Sequence, residues 1–276
     1  MPPSRPPSAR SLMMRLAEAA VASAEVSVII PVHNGERYLH EAIASVRRQS
    51  IAPIEIVIVD DGSTDGTAAV AETLGSDIRL IRQPHSGVTI SRNRGVRTAR
   101  GELIAFLDCD DVWTDDKLAT QVPILLEHSD IQIALGHTRR MWTPTARDGA
   151  PSGVCLTEPE LALHLGAALI RRSIFERVDA FDETVSHAED WDWFMRVRER
   201  GLMVVVHPEV MLLYRRHSDN MSNDEPVTRA ALVRMIHRSI ERRRSQGGDL
   251  APLPDLPFLE QYLRGRAAIR GGTEPA

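Results

Sequence analysis

Cysteine is scarce in this sequence, and its scarcity excludes one class of protein. Among 276 residues only Cys109 and Cys155 are cysteines, and no CxxC pair occurs. Two cysteines are too few for the disulfide framework that holds many small secreted domains together. The sequence therefore favours a reducing compartment.

Long apolar runs and an excess of basic charge are also missing. No apolar run reaches the roughly 20 residues that a membrane helix needs. The formal net charge of −5 provides no basic field to collect phosphates, which argues against nucleic acid as a partner. We therefore expect a cytoplasmic protein.

The composition that remains is that of an ordinary globular protein, 43% hydrophobic and 26% charged. The length allows one large domain with an appendage. Four prolines among the first ten residues predict that residues 1–24 form a disordered or helical leader. We expect the main domain at 25–222, followed at 223–276 by a helical C-terminal extension and tail.

Short β-branched runs alternate with helical patterns through the first half of the chain. Strands are predicted at 26–31, 54–59, 78–81 and 103–107, and the segments between them carry apolar residues at helical spacing. Strands that alternate with helices indicate βαβ units and right-handed crossovers. The predicted fold is therefore α/β, with a Rossmann-like, mostly parallel sheet flanked by helices.

The second half of the chain has a less regular pattern. Proline, glycine, threonine and charged residues predict an irregular loop at 137–159. A C-terminal helix after Pro226 is expected to place Leu232, Val233, Ile236 and Ile240 on one face. The other predicted elements are helices at 114–127, 173–178 and up to Arg200, a short helix near 258–266, and strands at 131–136, 167–170, 203–206 and 210–214.

Two of the buried strands end abruptly in carboxylates. Asp60 and Asp61 follow the second strand, and Asp108, Asp110 and Asp111 follow the fourth. Parallel strands share a carboxyl edge, where open α/β sheets bind ligands, so both acidic groups should lie on one edge. Carboxylates there suit hard cations such as Mg²⁺ or Mn²⁺, which commonly accompany phosphates. Aspartate is also a common turn residue, and Asp111 is expected to be structural.

Several motifs occur in one order and together are specific. They are VSVIIPVHN at 26–34, VDDGSTD at 59–65, SRNRG at 91–95, GELIAFLDCDDVW at 101–113, FDE at 181–183, EDWD at 189–192 and YRRH at 214–217. This set resembles the family 2 glycosyltransferases, which have the GT-A fold and invert the configuration of the sugar they transfer. The resemblance covers residues 26–222.

The resemblance implies a donor site for a nucleotide-diphosphate sugar, expected to be a UDP-sugar. By similarity, Asp60 hydrogen-bonds the uracil, Asp108 contacts ribose or metal-bound water, and Asp108 and Asp110 form the DxD metal motif. The other residues implied to bind the donor are Pro31, His33, Asn34, Glu36 and Arg92. The implied metal ligands are Asp108, Asp110 and His217, around Mn²⁺ or Mg²⁺.

The resemblance also implies that Asp190 is the catalytic base, because an inverting displacement needs one group to deprotonate the attacking nucleophile. We expect its position at a helix N-terminus to keep it ionised. Glu189 is expected to support it or to bind the acceptor. Trp191 and Trp193 either offer an apolar platform to the acceptor or pack in the core.

Two alternatives to an active glycosyltransferase are considered. A non-catalytic nucleotide-sugar-binding module is disfavoured because the motif residues Asp60, Asp108, Asp110, Asp190 and His217 are intact. A sugar nucleotidyltransferase is disfavoured because a glycine-rich basic phosphate loop does not follow the first strand.

The sequence does not identify the acceptor, which can be a glycan, a lipid-linked sugar, a peptide or a small molecule, nor the oligomeric state. Arg234, Arg238 and Arg242 form a basic stripe on the C-terminal helix. This stripe either contacts anionic lipid at the inner face of the membrane or is a solvated face.

Overall fold

A computed structural model gives the arrangement of the chain. It describes residues 19–142, 153–185, 187–218, 220, 225–245 and 252–258, together with positions 260, 261 and 264. Within these residues nine strands form one sheet. The strands are β1 (Val26–Val32), β2 (Glu55–Asp61), β3 (Ile78–Gln83), β4 (Leu103–Phe106), β5 (Val112–Trp113), β6 (Ile131–Trp142), β7 (Cys155–Leu156), β8 (Ala168–Arg171) and β9 (Met203–Arg215).

Helices cover the sheet. They are α1 (Leu39–Arg47), α2 (Thr67–Thr73), α3 (Val88–Thr98), α4 (Lys117–Glu127), α5 (Ile174–Val178), α6 (Glu189–Glu199) and α7 (Glu225–Ser245), with a 3₁₀ turn at Leu165–Ala167. Residues 19–22 of the predicted leader are helical. Residues 1–18 of that leader and most of the short helix predicted near 258–266 lie outside the described residues.

The first half of the sheet is parallel, as predicted. Its strands lie in the order β3-β2-β1-β4, and β1 pairs in parallel with both β2 and β4. Every residue of β1 and β2 is buried, which explains their nearly continuous apolar sequences. Because all four strands point the same way, their carboxyl ends meet at one edge.

The second half of the sheet is mixed. It continues the order as β8-β6-β9-β5, and β8 lies antiparallel to both β4 and β6. Among the described strands, four pairings are parallel and four antiparallel. The α/β class is confirmed, but the expectation of a mostly parallel sheet holds only for the first half.

Two strands are longer than predicted. The predicted start of the irregular loop, at residue 137, is too early, because β6 continues to Trp142 and pairs with β7. Residues 203–215 form one strand, and its register against β6 passes from Val206 to Val210 with irregular pairing between them. Pro208 lies in that irregular stretch, where its missing backbone donor is tolerated.

The apolar face predicted for the C-terminal helix is not the face that the helix buries. Ala231, Met235 and Ser239 of α7 are buried, whereas Val233 and Ile236 are 64% and 51% exposed. Ion pairs connect the basic side of α7 to acidic side chains in residues 182–199.

Two arginines of the basic stripe make these ion pairs. Arg238 contacts Asp182 at 3.0 Å, and Arg242 contacts Glu199 at 2.8 Å and Asp192 at 3.1 Å. Both therefore bind carboxylates of the same chain. None of the helices in the described ranges is long and apolar enough to cross a bilayer.

Candidate active site

The carboxyl ends of β1 and β2 are joined by hydrogen bonds between their loops. Asn34 adopts a positive φ of 53°, and its Oδ1 accepts from the Thr64 amide at 2.8 Å. The Glu36 carboxylate accepts from the Gly66 amide at 2.9 Å. Asn34 and Glu36, predicted to border the donor, therefore also hold the shape of the loops at this edge. Pro31 lies in β1 beside Val59.

Asp60 lies buried at the end of β2. Its Oδ1 accepts from the Ser63 amide at 2.9 Å. Its Oδ2 lies 3.4 Å from Arg82 Nε, yet no hydrogen bond satisfies this buried oxygen within the described residues. A buried oxygen in this condition is costly unless a ligand donates to it. This geometry fits the predicted contact with a nucleobase N–H.

Asp61 has an organising role that the sequence did not reveal. Its carboxylate accepts from Gln83 Nε2 at 2.7 Å and from the amides of Ser86 and Gly87 at 2.9 and 2.8 Å. Burial alone would raise the pKa of the Asp61 carboxyl, but these donors and His85 outweigh it and hold the pKa below its ordinary value. Asp61 thus fixes the turn that leads into α3.

His33 joins the same cluster. Its Nδ1 donates to the Asp61 carbonyl oxygen at 2.8 Å, and its ring lies 4.1 Å from the ring of His85. His33 therefore lies at the predicted nucleotide edge. The contact with His85 was not anticipated, because no family motif includes His85.

The DxD motif meets the end of β9. Asp110 Oδ2 lies 2.9 Å from His217 Nε2, although the two residues are far apart along the chain. The His217 ring stacks on Tyr38 at a centroid distance of 5.1 Å, and Arg215 Nε donates to the Asp110 carbonyl at 2.8 Å. The structure thus brings together two of the three predicted metal ligands.

Asp110 and His217 can both ligate a divalent cation, whereas Asp108 lies in a different group, with Asp111 and His164, whose ligand atoms are within 4.8 Å of one another. Two donor atoms on one six-coordinate Mg²⁺ or Mn²⁺ lie about 3 Å apart, which matches the separation of Asp110 Oδ2 from His217 Nε2. Carboxylate oxygen and imidazole nitrogen are donors that Mn²⁺ accepts. Asp108 lies two residues from Asp110 and is partly exposed.

Arg92, which the resemblance implies to be a donor-binding residue, lies between two carboxylates. Its buried guanidinium is 2.7 Å from Asp108 and in direct contact with Glu189. Burial would raise the pKa of Asp108, but the Arg92 guanidinium holds that pKa below its ordinary value. Arg92 therefore links the DxD motif to the start of α6.

Asp190 is the second residue of α6, and its Oδ1 accepts from the Trp191 amide at 2.8 Å. Burial, followed by the neighbouring charge of Glu189, raises the pKa of Asp190 to about 7. Burial and the charge of Glu189 thus oppose the helix dipole, which was expected to keep this carboxylate ionised. A carboxyl that titrates near pH 7 suits a general base.

The two tryptophans of α6 differ in environment. Trp193 is fully buried and packs against Phe175, Phe181 and Phe194, which confirms the core alternative for this residue. Trp191 is 39% exposed beside Asp190 and remains available to an acceptor.

His164 is a site residue that sequence reasoning missed. One of its ring nitrogens and a carboxylate oxygen from each of Asp108 and Asp111 lie within 4.8 Å of one another. His164 precedes the 3₁₀ turn in a segment without any family motif, so the sequence contained no signal that assigned it to the site. It reaches the site because the 3₁₀ turn that follows it packs against β4, β6 and β9.

Asp111 combines a structural contact with an unsatisfied oxygen. Its Oδ1 accepts from the Arg215 amide at 2.8 Å, in keeping with the structural role predicted for it. Its buried Oδ2 has no hydrogen-bond partner among the described residues. Burial and the charges of Asp110 and Asp108 raise its pKa well above the ordinary value.

Comparison with known proteins identifies similar sequences. The family model described as glycosyl transferase family 2 matches residues 27–179. An uncharacterized glycosyltransferase of Rickettsia typhi is 30% identical over 211 residues, which cover 72% of this chain and 66% of that protein. The chain spans about two thirds of the length of the first curated relatives that it matches.

Solved structures share the fold. S. aureus TarS 1–349 in complex with UDP is 23% identical, with a TM-score of 0.61, over 82% of this chain and 67% of that chain. The mannosyltransferase PcManGT of Pyrobaculum calidifontis, in complex with GDP-Man and Mn²⁺, is 22% identical, with a TM-score of 0.63, over 87% of this chain and 72% of that chain. These similarities confirm the predicted GT-A arrangement, a curled sheet flanked by helices.

Proposed function

Because the chain belongs to glycosyl transferase family 2 and is a transferase enzyme, we propose that it transfers a sugar from a UDP-sugar with inversion of configuration. The observation that carries the proposal is the position of Asp190, a carboxyl with a pKa of about 7 that is linked through Glu189 and Arg92 to the DxD motif. A proton acceptor and a diphosphate site beside each other are what an inverting displacement requires.

The nucleotide is proposed to bind at the ends of β1 and β2. Asp60 Oδ2, buried and without a hydrogen bond, accepts from the uracil N–H. Pro31, His33, Asn34 and Glu36 border the nucleotide along the same edge. A UDP donor is supported by the fold shared with TarS, whose structures include complexes with UDP and UDP-GlcNAc.

Mn²⁺ or Mg²⁺ is proposed to be held by Asp108, Asp110 and His217. When bound, the cation neutralises negative charge that develops on the leaving diphosphate. The Mn²⁺ complex of the mannosyltransferase PcManGT supports a metal in this fold. Tyr38 and Arg215 hold His217 and the Asp110 backbone in position.

Asp190 is proposed to take the proton from the acceptor nucleophile. The nucleophile forms its bond to the anomeric carbon while the bond from that carbon to the diphosphate oxygen breaks on the opposite face. Arg92 is a positioning residue, because it holds Glu189 next to Asp190 and Asp108 next to the donor. The exposed face of Trp191, beside Asp190, is proposed to contact the acceptor, and Glu189, buried against Arg92, is proposed to support Asp190.

The test is UDP release from a panel of UDP-sugars with Mn²⁺, with GDP-mannose as the alternative donor. We expect Mn²⁺-dependent turnover of at least one UDP-sugar, and a loss of ~10²–10⁴-fold in Asp190→Asn with UDP affinity retained. Glu176→Gln, on the exposed side of α5, is the control for removing an acidic charge.

Three other results would contradict parts of the proposal. Wild-type turnover in Asp190→Asn would refute the base assignment, and turnover of GDP-mannose alone would refute the UDP donor. UDP binding without turnover of any donor, across a panel of acceptors, would instead indicate a nucleotide-sugar-binding module.

A further inference from the structure

His164 lies between the two functional sides of the site. Its ring is within 4.8 Å of Asp108 and Asp111, and it is close enough to Arg92, Asp110 and Glu189 for their charges to act on it. In the proposed reaction the donor sugar must lie between the diphosphate, bound near Asp110, and the base Asp190. His164 therefore borders the space that the sugar has to occupy.

The hydrogen bonding of His164 determines which ring nitrogen carries the proton. The Gly166 amide donates to Nδ1 at 3.2 Å, so Nδ1 is an acceptor that caps the 3₁₀ turn. A neutral imidazole whose Nδ1 accepts must carry its proton on Nε2, and Nε2 is then a donor.

Asp111 and Asp190, whose raised pKa values favour the protonated carboxyl, can also donate, but the remaining groups around this space are poor sources of a hydrogen bond to a ligand. Asp108, Asp110 and Glu189 are carboxylates, which accept when ionised. Arg92 is committed to two of them, Asp108 and Glu189. A sugar hydroxyl both donates and accepts hydrogen bonds. Ionised carboxylates can accept from the hydroxyl hydrogen but cannot donate to the hydroxyl oxygen.

We propose that His164 Nε2 donates a hydrogen bond to a hydroxyl of the donor sugar and thereby contributes to the choice of sugar. The inference rests on the proposed function, because it requires a nucleotide-sugar donor. It adds a sugar contact from the segment between β7 and β8, outside all of the family motifs. The Tyr214 ring, with its centroid 5.3 Å from that of His164, supports the position of the imidazole.

Two substitutions separate the donor function from the cap. In His164→Asn the amide oxygen takes the place of Nδ1, so the cap of Gly166 is retained and the Nε2 donor is lost. In His164→Gln the amide nitrogen takes the place of Nε2, so the donor is retained and the cap is weakened. The Asn variant is therefore expected to fold normally and to bind the sugar poorly.

The experiment measures the affinities of wild type and both variants for UDP and for the UDP-sugars of the panel, by calorimetry with Mn²⁺. We expect His164→Asn to bind the preferred UDP-sugar ~10-fold more weakly, as for loss of one buried hydrogen bond, with UDP affinity unchanged. Discrimination between UDP-sugars that differ at one hydroxyl should narrow. His164→Gln should retain part of the UDP-sugar affinity and part of the discrimination between UDP-sugars.

Each opposite result has a distinct meaning. Unchanged UDP-sugar affinity in His164→Asn would overturn the inference while leaving the proposed function intact. Equal losses for UDP and UDP-sugar would indicate a structural role, and a loss that excess Mn²⁺ reverses would make His164 a metal ligand, either of which also overturns it. Failure of the wild type to bind any UDP-sugar would refute the proposed function itself.

Discussion

The two halves of the sheet contribute to the site in different ways. The parallel half presents Asp61 and Asp108 from the ends of its own strands, and hydrogen bonds or Arg92 hold the pKa of each below its ordinary value. The mixed half and its helices supply Asp190, whose pKa burial and Glu189 raise to about 7. Asp61 and Asp108 therefore stay charged at neutral pH, whereas Asp190 can exchange a proton.

The metal ligands test whether the halves depend on each other, because Asp110 follows a strand of the parallel half and His217 follows a strand of the mixed half. We expect Asp110→Asn and His217→Ala each to weaken Mn²⁺-dependent donor binding by ~10-fold or more. Donor titrations with Mn²⁺ and with a chelator would measure this. An Mn²⁺ dependence identical to wild type in both variants would refute the shared site.

Removal of the connection between the halves should cost stability. Arg92→Leu leaves the carboxylates of Asp108 and Glu189 without their buried partner, and we expect a loss of about 3–5 kcal/mol in the free energy of unfolding. Arg97→Leu, on the exposed side of the same helix, is the control and should cost under about 0.5 kcal/mol. If urea denaturation gave equal losses of unfolding free energy for Arg92→Leu and Arg97→Leu, the buried ion pairs of Arg92 would not contribute to stability.

The nucleotide side should show its lowered pKa values in the pH dependence of stability. Asp61→Asn removes one charged acceptor, and we expect a loss of about 1–3 kcal/mol at neutral pH. A folded-state pKa below the unfolded value gives stability that is complete above pH ~4 and is lost on further acidification. The difference in the free energy of unfolding between wild type and Asp61→Asn should therefore shrink below pH ~4. A difference that stays constant with pH would contradict the lowered pKa of Asp61.

The smallest effect on stability is expected for the ion pair that connects the C-terminal helix α7 to Asp182. Arg238→Gln breaks a partly exposed ion pair with Asp182, so we expect a loss of no more than about 1 kcal/mol. Arg234→Gln, an exposed neighbour on the same helix, should cost less. Binding of either variant to anionic vesicles should match wild type, and a clear loss would support the lipid contact predicted from the basic stripe.

The parallel half was predictable from sequence because its signals are local. A buried apolar run followed by Asp60 or Asp108 predicts both a strand and the place where it ends. Parallel pairing brings the ends of these strands to the same edge of the sheet. The sequence contains no local signal for the antiparallel pairing of β8 with β4, since a short apolar run does not indicate the direction in which its strand will pair. That pairing is why the sheet is mixed.

The sequence predicted motif residues more reliably than their environments. The contact between Asp110 and His217 agrees with the shared metal site that the resemblance implied. By contrast, the place of Arg92 between two carboxylates, the contribution of His164 and the raised pKa of Asp190 depend on side chains brought close only by folding. The face that α7 buries was not predicted for the same reason, because its ion-pair partners lie on α6 and at Asp182.

The pH dependence of transfer tests whether Asp190 is the group that exchanges a proton. With a UDP-sugar and an acceptor identified by the panel, kcat/KM of the wild type should rise with pH and level off above about 7, as Asp190 loses its proton. Asp190→Asn should retain only a small residual rate without this rise. A wild-type rate that is constant between about pH 5 and 9, or an unchanged rise in the variant, would contradict the assignment.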